Sequence, residues 1–418
     1  MISLTSLNTH LNTEDDPTHE YISLQIVNEY TPGNTEPKPI IFNQIKSSNI
    51  VDVARDYYLS VVRWNIQSNL PVLIPDMVIS PTPTEDITLA TNYKLQLLYS
   101  TYAPFEQGRR AYNKPTYNVG SMGTPVLFKP EINDPSIYTL MNPTIIPNRP
   151  RTKQELLSNP WYYLKNVNSL LRMLNDAISD CFLDIEDDNK TWIYKPYFIW
   201  DSNSNKISFY RPNTNPTGIP GGDATTQWYV AVNQPLYNLL STFRFIHYKQ
   251  NNTVTGNPAF PPTDCNFLLD TNILPLNALS TGDYTVVTQQ TSSVVNWSPV
   301  SSIIFQTGLP VESQISGASV NLNTNSDAQS SVYAQNNTTK VITDFIIPFA
   351  NGTEATNQQI YYINTSEYRL IDLLGNQALI QLQIQIFWKD VYGSLHPMTL
   401  DAGQSADILI LLRKKNYR

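Results

Sequence analysis

Hydrophobic and polar positions alternate most regularly toward the C-terminal end, over Leu379–Lys389. Ile380, Leu382, Ile384, Ile386 and Trp388 fall on one face, and Gln381, Gln383 and Gln385 on the other. Successive side chains of a strand point to opposite faces, so this period of two predicts a strand with one buried face. Its other face carries neutral amides rather than charges, which suits water or a neighbouring subunit. Gly375-Asn376 marks a turn before the strand. After it come a turn at Tyr392-Gly393-Ser394, a short strand near Met398–Leu400, a turn at Ala402-Gly403 and a last strand over Ala406–Arg413. The same alternation predicts strands at Tyr21–Val27, Tyr57–Ile66, Val72–Ile79, Tyr93–Tyr102, Tyr284–Thr288, Ser301–Gln306 and from Lys340 to Pro348. Short strands at turn-marked intervals predict an antiparallel sandwich or barrel.

From Ala103 to Ser280 this rhythm is interrupted. Leu164, Val167, Leu170, Leu171, Leu174, Ile178, Cys181 and Phe182 form a stripe at three-to-four spacing, which predicts one long amphipathic helix near residues 160–183. Pro160 suits its first turn, where a missing N–H costs nothing. Strands at Trp192–Trp200, Lys206–Tyr210 and Gln227–Val232 and a short helix at Leu236–Phe245 complete a mixed α+β block.

Several phrases along the chain carry a family likeness. Tyr368-Arg369-Leu370-Ile371-Asp372-Leu373, Ile386-Phe387-Trp388-Lys389-Asp390, Gly393 and the stretch from Ile408 to Lys415 resemble the C-terminal jelly-roll half of penton or minor capsid proteins of virophages and polinton-like viruses. Tyr58-Leu59-Ser60-Val61-Val62-Arg63-Trp64-Asn65-Ile66 with Leu73-Ile74-Pro75, and Ile303-Ile304-Phe305-Gln306-Thr307-Gly308-Leu309-Pro310, fit the same likeness. The resemblance implies a mainly β chain: an antiparallel jelly-roll sandwich with a large mixed α+β insertion. The expected segments are a flexible N-terminal arm over 1–20, the first part of the roll over 21–102, the insertion over 103–280, and the second part of the roll with a basic tail over 281–418.

Composition narrows the function. Charged residues make up only 15 % of the chain, with 30 Pro and 25 Tyr, against about 25 % charged in an average domain. Such neutral polar surface is expected where neighbours cover it, because charge is depleted at interface centres. A net charge of −8 excludes a whole-molecule electrostatic nucleic-acid binder. Charge is uneven, however. Glu14, Asp15, Asp16 and Glu20 lie in the arm, while the tail carries Arg413, Lys414, Lys415 and Arg418, a candidate weak contact with the genome or an acidic partner. The first residues have neither the basic nor the apolar region of a signal peptide, and no apolar run approaches the roughly 20 residues of a membrane span. Cys181 and Cys265 cannot build a disulfide framework.

No catalytic constellation stands out. His10, His19, His247 and His396 lack metal-ligand spacing. Asp184, Glu186, Asp187 and Asp188 crowd together without the ligand order of a calcium loop and read as a solvated helix end. Gly218-Ile219-Pro220-Gly221-Gly222-Asp223 has no Gly-Lys-Ser/Thr and reads as a turn. The aromatic groups Trp161-Tyr162-Tyr163, Trp192–Trp200 and Trp228-Tyr229 have no interleaved basic residues, so core or interface anchoring is expected over base stacking.

The resemblance therefore implies a structural function: a non-enzymatic capsid protein of the virion, expected to form a homopentamer at icosahedral vertices beside the major capsid protein, with no cofactor and no metal. Two other readings stand, a double jelly-roll major capsid protein and a glycan-binding or host-attachment β-sandwich that uses its aromatics.

Overall fold

The computed structural model describes residues 19–29, 37–67, 70–80, 90–100, 118–127, 149–185, 194–213, 227–247, 265–269, 278–281, 283–312, 340–346, 359–363 and 369–415. It is mainly β, with several antiparallel sheets and few helices. In chain order come β1 (His19–Val27), β2 (Lys38–Pro39), β3 (Ile41–Ile45), β4 (Tyr57–Gln67), β5 (Ala90–Ser100) and β6 (Asn118–Leu127). Helices α1 (Lys153–Ser158) and α2 (Val167–Ile185) are followed by β7 (Tyr197–Asp201), β8 (Lys206–Pro212), β9 (Gln227–Val232) and α3 (Gln234–Leu240). Then come β10 (Phe245–His247), β11 (Phe267–Leu269), β12 (Ala278–Thr281), β13 (Tyr284–Thr288), β14 (Val300–Thr307) and β15 (Lys340–Phe345). The last are β16 (Gln359–Ile363), β17 (Ile371–Asp372), β18 (Gln381–Asp390), β19 (Leu395–Pro397), β20 (Thr399–Leu400) and β21 (Ser405–Lys414).

The chain divides into two compact units. One holds residues 1–70, 300–348 and 357–418, and the other 71–299 and 349–356. In the first, one sheet runs β1-β21-β4-β16 and the other β15-β14-β18, where β3 and β19 share the far side of β18. Numbered in chain order, the eight principal strands β1, β3, β4, β14, β15, β16, β18 and β21 give sheets ordered 1-8-3-6 and 2-7-4-5. The last strand therefore lies between the first and the third, so the 1-8-3-6 sheet cannot be completed until the C-terminal strand is in place.

Leu382, Ile384, Ile386 and Trp388 on β18 are each at most 2 % exposed, while the residues between them are half-buried, as the alternation predicts. Full burial of each such side chain contributes about 1.5–3 kcal/mol. Ile380 departs from the expected face and is 49 % exposed. The neighbouring strand β3 ends at Ile45, opposite Gln381, so no strand covers the residue before it. Trp64 of β4 joins the two sheets, with its ring 5.9 Å from Phe305 on β14 and 5.6 Å from Phe345 on β15. Tyr362 of β16 stacks on Trp64 at 6.0 Å and meets Phe345 at 4.4 Å. The expected turns at Gly393 and Gly403 have φ of +88° and +86°, a left-handed conformation open to glycine at no steric cost.

The second unit has a five-stranded sheet, β10-β11-β9-β5-β6, a four-stranded sheet, β12-β13-β8-β7, and helix α2. Leu170, Leu174, Ile178 and Cys181 of the predicted stripe are each at most 1 % exposed and share one core with Leu95, Leu97, Phe198, Phe209 and Val230. The helix starts later than Pro160 suggests. Thr152 caps the short α1 by accepting from the Glu155 N–H, while the Glu155 carboxylate accepts from the Arg151 N–H. Pro160 lies in a separate 3-10 turn, Pro160–Tyr162, and the side chain of Asn166 accepts from the Asn168 N–H at the start of α2.

Two other expectations change. Val72–Ile79 is not a strand, because Pro71 and Pro75 have no N–H for a ladder, and only the bridges Leu73↔Leu164 and Met77↔Thr91 form there. The strands expected at Tyr93–Tyr102 and Tyr284–Thr288 pair with β9 and β8 and so belong to the second unit. That unit accordingly spans 71–299 rather than 103–280. His19 and Glu20, expected in the arm, belong to β1, and residues 1–18 lie outside the described residues.

The register of β18 has a direct consequence for stability. Ile384→Asp places an unpaired carboxylate in the core and is expected to cost about 4 kcal/mol or more, whereas Gln383→Asp on the opposite face should stay within about 0.5 kcal/mol. Urea unfolding of both variants checks this, and equal destabilisation would contradict the register.

Candidate assembly surfaces

On the outer face of β18, the Gln381 amide and the Gln383 backbone are tied to neighbouring residues. Gln381 Nε2 donates to Asn43 Oδ1 of β3 at 2.7 Å, and Thr307 Oγ1 donates to the Gln383 carbonyl at 2.7 Å. Gly308 lies directly under the Gln383 side chain, where an added Cβ would sit 2.5 Å from Oε1. Gln359 Nε2 similarly donates to Asn65 Oδ1 on the other sheet, at 3.0 Å. Such rows are polar without net charge, so covering them does not require desolvating an ion.

Large apolar side chains lie exposed at opposite edges of the sheets. The strand order puts β1 and β3 on one side and β16 and β15 on the other. Ile45 of β3 is 68 % exposed, as is Tyr361 of β16, and Ile346, just past β15, is 77 % exposed.

The basic tail divides. Arg413 is exposed on β21, where it is registered between His19 and Tyr58. Lys414 is half-buried at the end of the strand. Lys415 is occupied within its own chain. Its Nζ lies 2.6 Å from Asp372 Oδ1, donates to the Arg55 carbonyl at 2.7 Å and sits 5.0 Å from the Tyr58 ring centre. Arg418 lies outside the described residues.

A polar cluster that the sequence reading missed closes the β18–β19 hairpin. Asp390 continues the buried face of β18 and is 1 % exposed. Its Oδ1 accepts the N–H groups of Tyr392 and Ser394 at 2.8 and 2.9 Å, and its Oδ2 lies 2.9 Å from His396 Nε2. The His396 ring is 3 % exposed and stacks on Trp388 at 4.2 Å. The available signal was a carboxylate continuing the apolar alternation directly before Tyr392-Gly393-Ser394, with a histidine on the returning strand.

The second unit carries a tyrosine face. Tyr197 of β7 and Tyr210 of β8 stack at 4.9 Å, and Tyr284 of β13 meets them edge-on at 5.3 and 6.2 Å. Tyr194 lies 5.7 Å from Tyr284. Its hydroxyl bonds to Asp283, which holds it above the ordinary tyrosine range, and burial pushes Tyr197 and Tyr284 upward as well. All three rings therefore stay neutral at physiological pH and present hydroxyls on a half-exposed surface.

The remaining candidates do not converge. Trp228 and Tyr229 are at most 3 % exposed, and Trp161 packs against the core. His247 lies 5.1 Å from the Phe267 ring, far along the chain from His396. Cys181 and Cys265 are buried free thiols. His10, Trp192, Glu186, Asp187, Asp188 and Gly218–Asp223 lie outside the described residues. Among the described residues there is no cluster of three or more metal-ligating side chains, and no helix is long and apolar enough to cross a membrane.

Comparison with known proteins places this arrangement. The profile of the family described as Sputnik minor capsid protein V18/19 matches residues 21–414. "Uncharacterized protein V18" of Sputnik virophage is 27 % identical over 158 residues, covering 37 % of this chain and 78 % of that protein. A chain of the Sputnik virophage, from its 3.5 Å cryo-EM structure, superposes with a TM-score of 0.62 at 22 % identity, over 96 % of this chain and all of that one. The mavirus penton protein superposes with a TM-score of 0.52 at 12 % identity, over 95 % of this chain and all of that one.

The Asp390 cluster is expected to behave as one unit. Asp390→Ala leaves two part-buried N–H groups and the buried His396 without their partner, and should cost about 3 kcal/mol or more, with His396→Ala costing a comparable amount. Because the two side chains share one interaction, the double variant should cost clearly less than the sum in urea unfolding. Strict additivity would show that the pair is not coupled.

Proposed function

The chain belongs to the Sputnik minor capsid protein V18/19 family, and from that membership we propose that it is the vertex protein of an icosahedral shell, assembled as a ring of five identical subunits. As a member of a capsid protein family, it is a structural component of the virion and does no chemistry. The frame of each subunit is a jelly-roll sandwich, and residues 71–299 are inserted between its third and fourth strands.

One observation carries this reading: the strand orders 1-8-3-6 and 2-7-4-5 within a unit built from both ends of the chain. A jelly-roll consists of eight strands in two facing sheets. Among its described residues the second unit has five- and four-stranded sheets with a 19-residue helix, in strand orders unlike those of a roll, which speaks against a double jelly-roll protein. The likeness in fold to the mavirus penton protein over 95 % of the chain favours the vertex position. Closed rings need two different patches that meet head to tail. Ile45 at one edge and Tyr361 with Ile346 at the other supply such a pair. The neighbouring major capsid protein is the expected second partner. Arg413, exposed on β21, suits a weak contact with the genome or an acidic partner, one that added salt should weaken.

Native mass and particle images of the purified chain test the proposal. A species of five subunits with five-fold averages is expected. A stable monomer, or a ring of another number, contradicts it. A second test addresses the insertion. Joining Leu70 to Val300 through a short Gly/Ser linker should leave a chain that still unfolds cooperatively, because closure entropy changes slowly with loop length. Loss of cooperative unfolding would show that the roll depends on residues 71–299.

A further inference from the structure

We infer that the second unit holds a binding groove for a neutral oligosaccharide, between α2 and the exposed edge of β7. The groove has a volume of about 300 Å³, at the lower end of the range for small-molecule sites. One wall is a polar face of α2. Asn168, Arg172 and Asp176 follow one another at every fourth residue, so they form a line along the helix, about 12 Å long at 1.5 Å per residue. The other wall is the end of β7, with Ile199, 43 % exposed, and Trp200.

Asn175 determines what this edge can accept. Its side-chain Oδ1 takes the Phe198 N–H at 2.7 Å and its Nδ2 donates to the Phe198 carbonyl at 2.9 Å. A single side-chain amide thus stands where a neighbouring strand would run. An added peptide strand would have to displace it, which disfavours a peptide as the occupant. Residues two apart on a strand turn their backbone groups to the same side. The N–H and carbonyl of Trp200 therefore face the groove beside Ile199.

The groove combines donors and acceptors on a partly apolar surface. The Arg172 guanidinium and the Asn168 side-chain amide have no partner among the described residues. Together with the Asp176 carboxylate and the backbone of Trp200, they match the paired hydroxyls of a sugar, each of which both donates and accepts. The exposed side chain of Ile199 suits the C–H face of a sugar ring, while the Trp200 indole packs against the core. The charges of Arg172 and Asp176 oppose each other, so a neutral ligand fits better than an acidic or basic one. The tyrosine face begins at Tyr197, two residues before Ile199 on the same strand, and extends the hydroxyl-bearing surface beyond the groove.

The whole chain, screened against an array of neutral and acidic oligosaccharides of two to four sugars, tests the assignment, with affinities for the strongest neutral hit measured by calorimetry. Arg172→Ala and Asp176→Asn should each weaken that binding at least tenfold, and Gln381→Ala in the first unit should leave it unchanged. Thermal melts matching the parent establish that the variants are folded, and Ile199→Glu, which fills the groove from the strand side, should also abolish binding. An array without signal, binding confined to acidic glycans, or a neutral hit unaffected by these substitutions overturns the inference. Arg172→Ala, Asp176→Asn and Ile199→Glu all lie in the second unit, away from the sheet edges of the first, so particle mass remains an independent measure of ring formation.

Discussion

The frame of this protein depends on the burial of one face of β18. Leu382, Ile384, Ile386 and Trp388 are closed off from water, and β18 is also the strand to which β14, β3 and β19 all attach. Three pairings from different parts of the chain thus rest on one apolar face. Trp64 performs the corresponding task across the sheets, holding β4 against Phe305 and Phe345. Because β21 lies between β1 and β4, that sheet closes only when the two ends of the chain have met. A frame of this kind can accept a large unit between β4 and β14, since the strands on either side are held by partners from elsewhere.

That organisation explains how a chain with so little charge can build a shell component. Its exposed amides are neutral, and pairs such as Gln381–Asn43 and Gln359–Asn65 are already bonded across strands, so a neighbour can cover them without stranding an ion. The buried carboxylate of Asp390 is matched by two backbone N–H groups and His396, which makes it a fastening for the hairpin. Lys415 is likewise fastened, to Asp372. The groups left outward at the sheet edges are mainly apolar, and these are what a neighbouring subunit would cover.

Much of the frame was legible in the sequence because a strand with one wet face writes its burial as alternation. β18, β4 and β21 fall close to where alternation puts them, and the stripe Leu170–Leu174–Ile178–Cys181 locates α2. Three things were not legible. Alternation does not name a strand's partner, so β5 and β13 were placed with the roll although they pair with β9 and β8. The segment from Val72 to Ile79 alternates without forming a strand, since its prolines remove ladder donors. Charge clusters were also poor guides. Lys415, read as part of an outward tail, is held by its own chain, while the groove beside Trp200 is assembled from α2 and β7, whose residues look unremarkable one element at a time.

The claim that β18 is the strand on which the first unit rests can be measured directly. Native-state hydrogen exchange resolves how far each amide is protected. Amides of Leu382–Trp388 and of the paired residues on β14 should exchange only with global unfolding of the unit, more slowly than those of the edge strands β1 and β16. If the β18 amides exchange as fast as those of β1 while the unit remains folded, the frame is held by something else and this account of it fails.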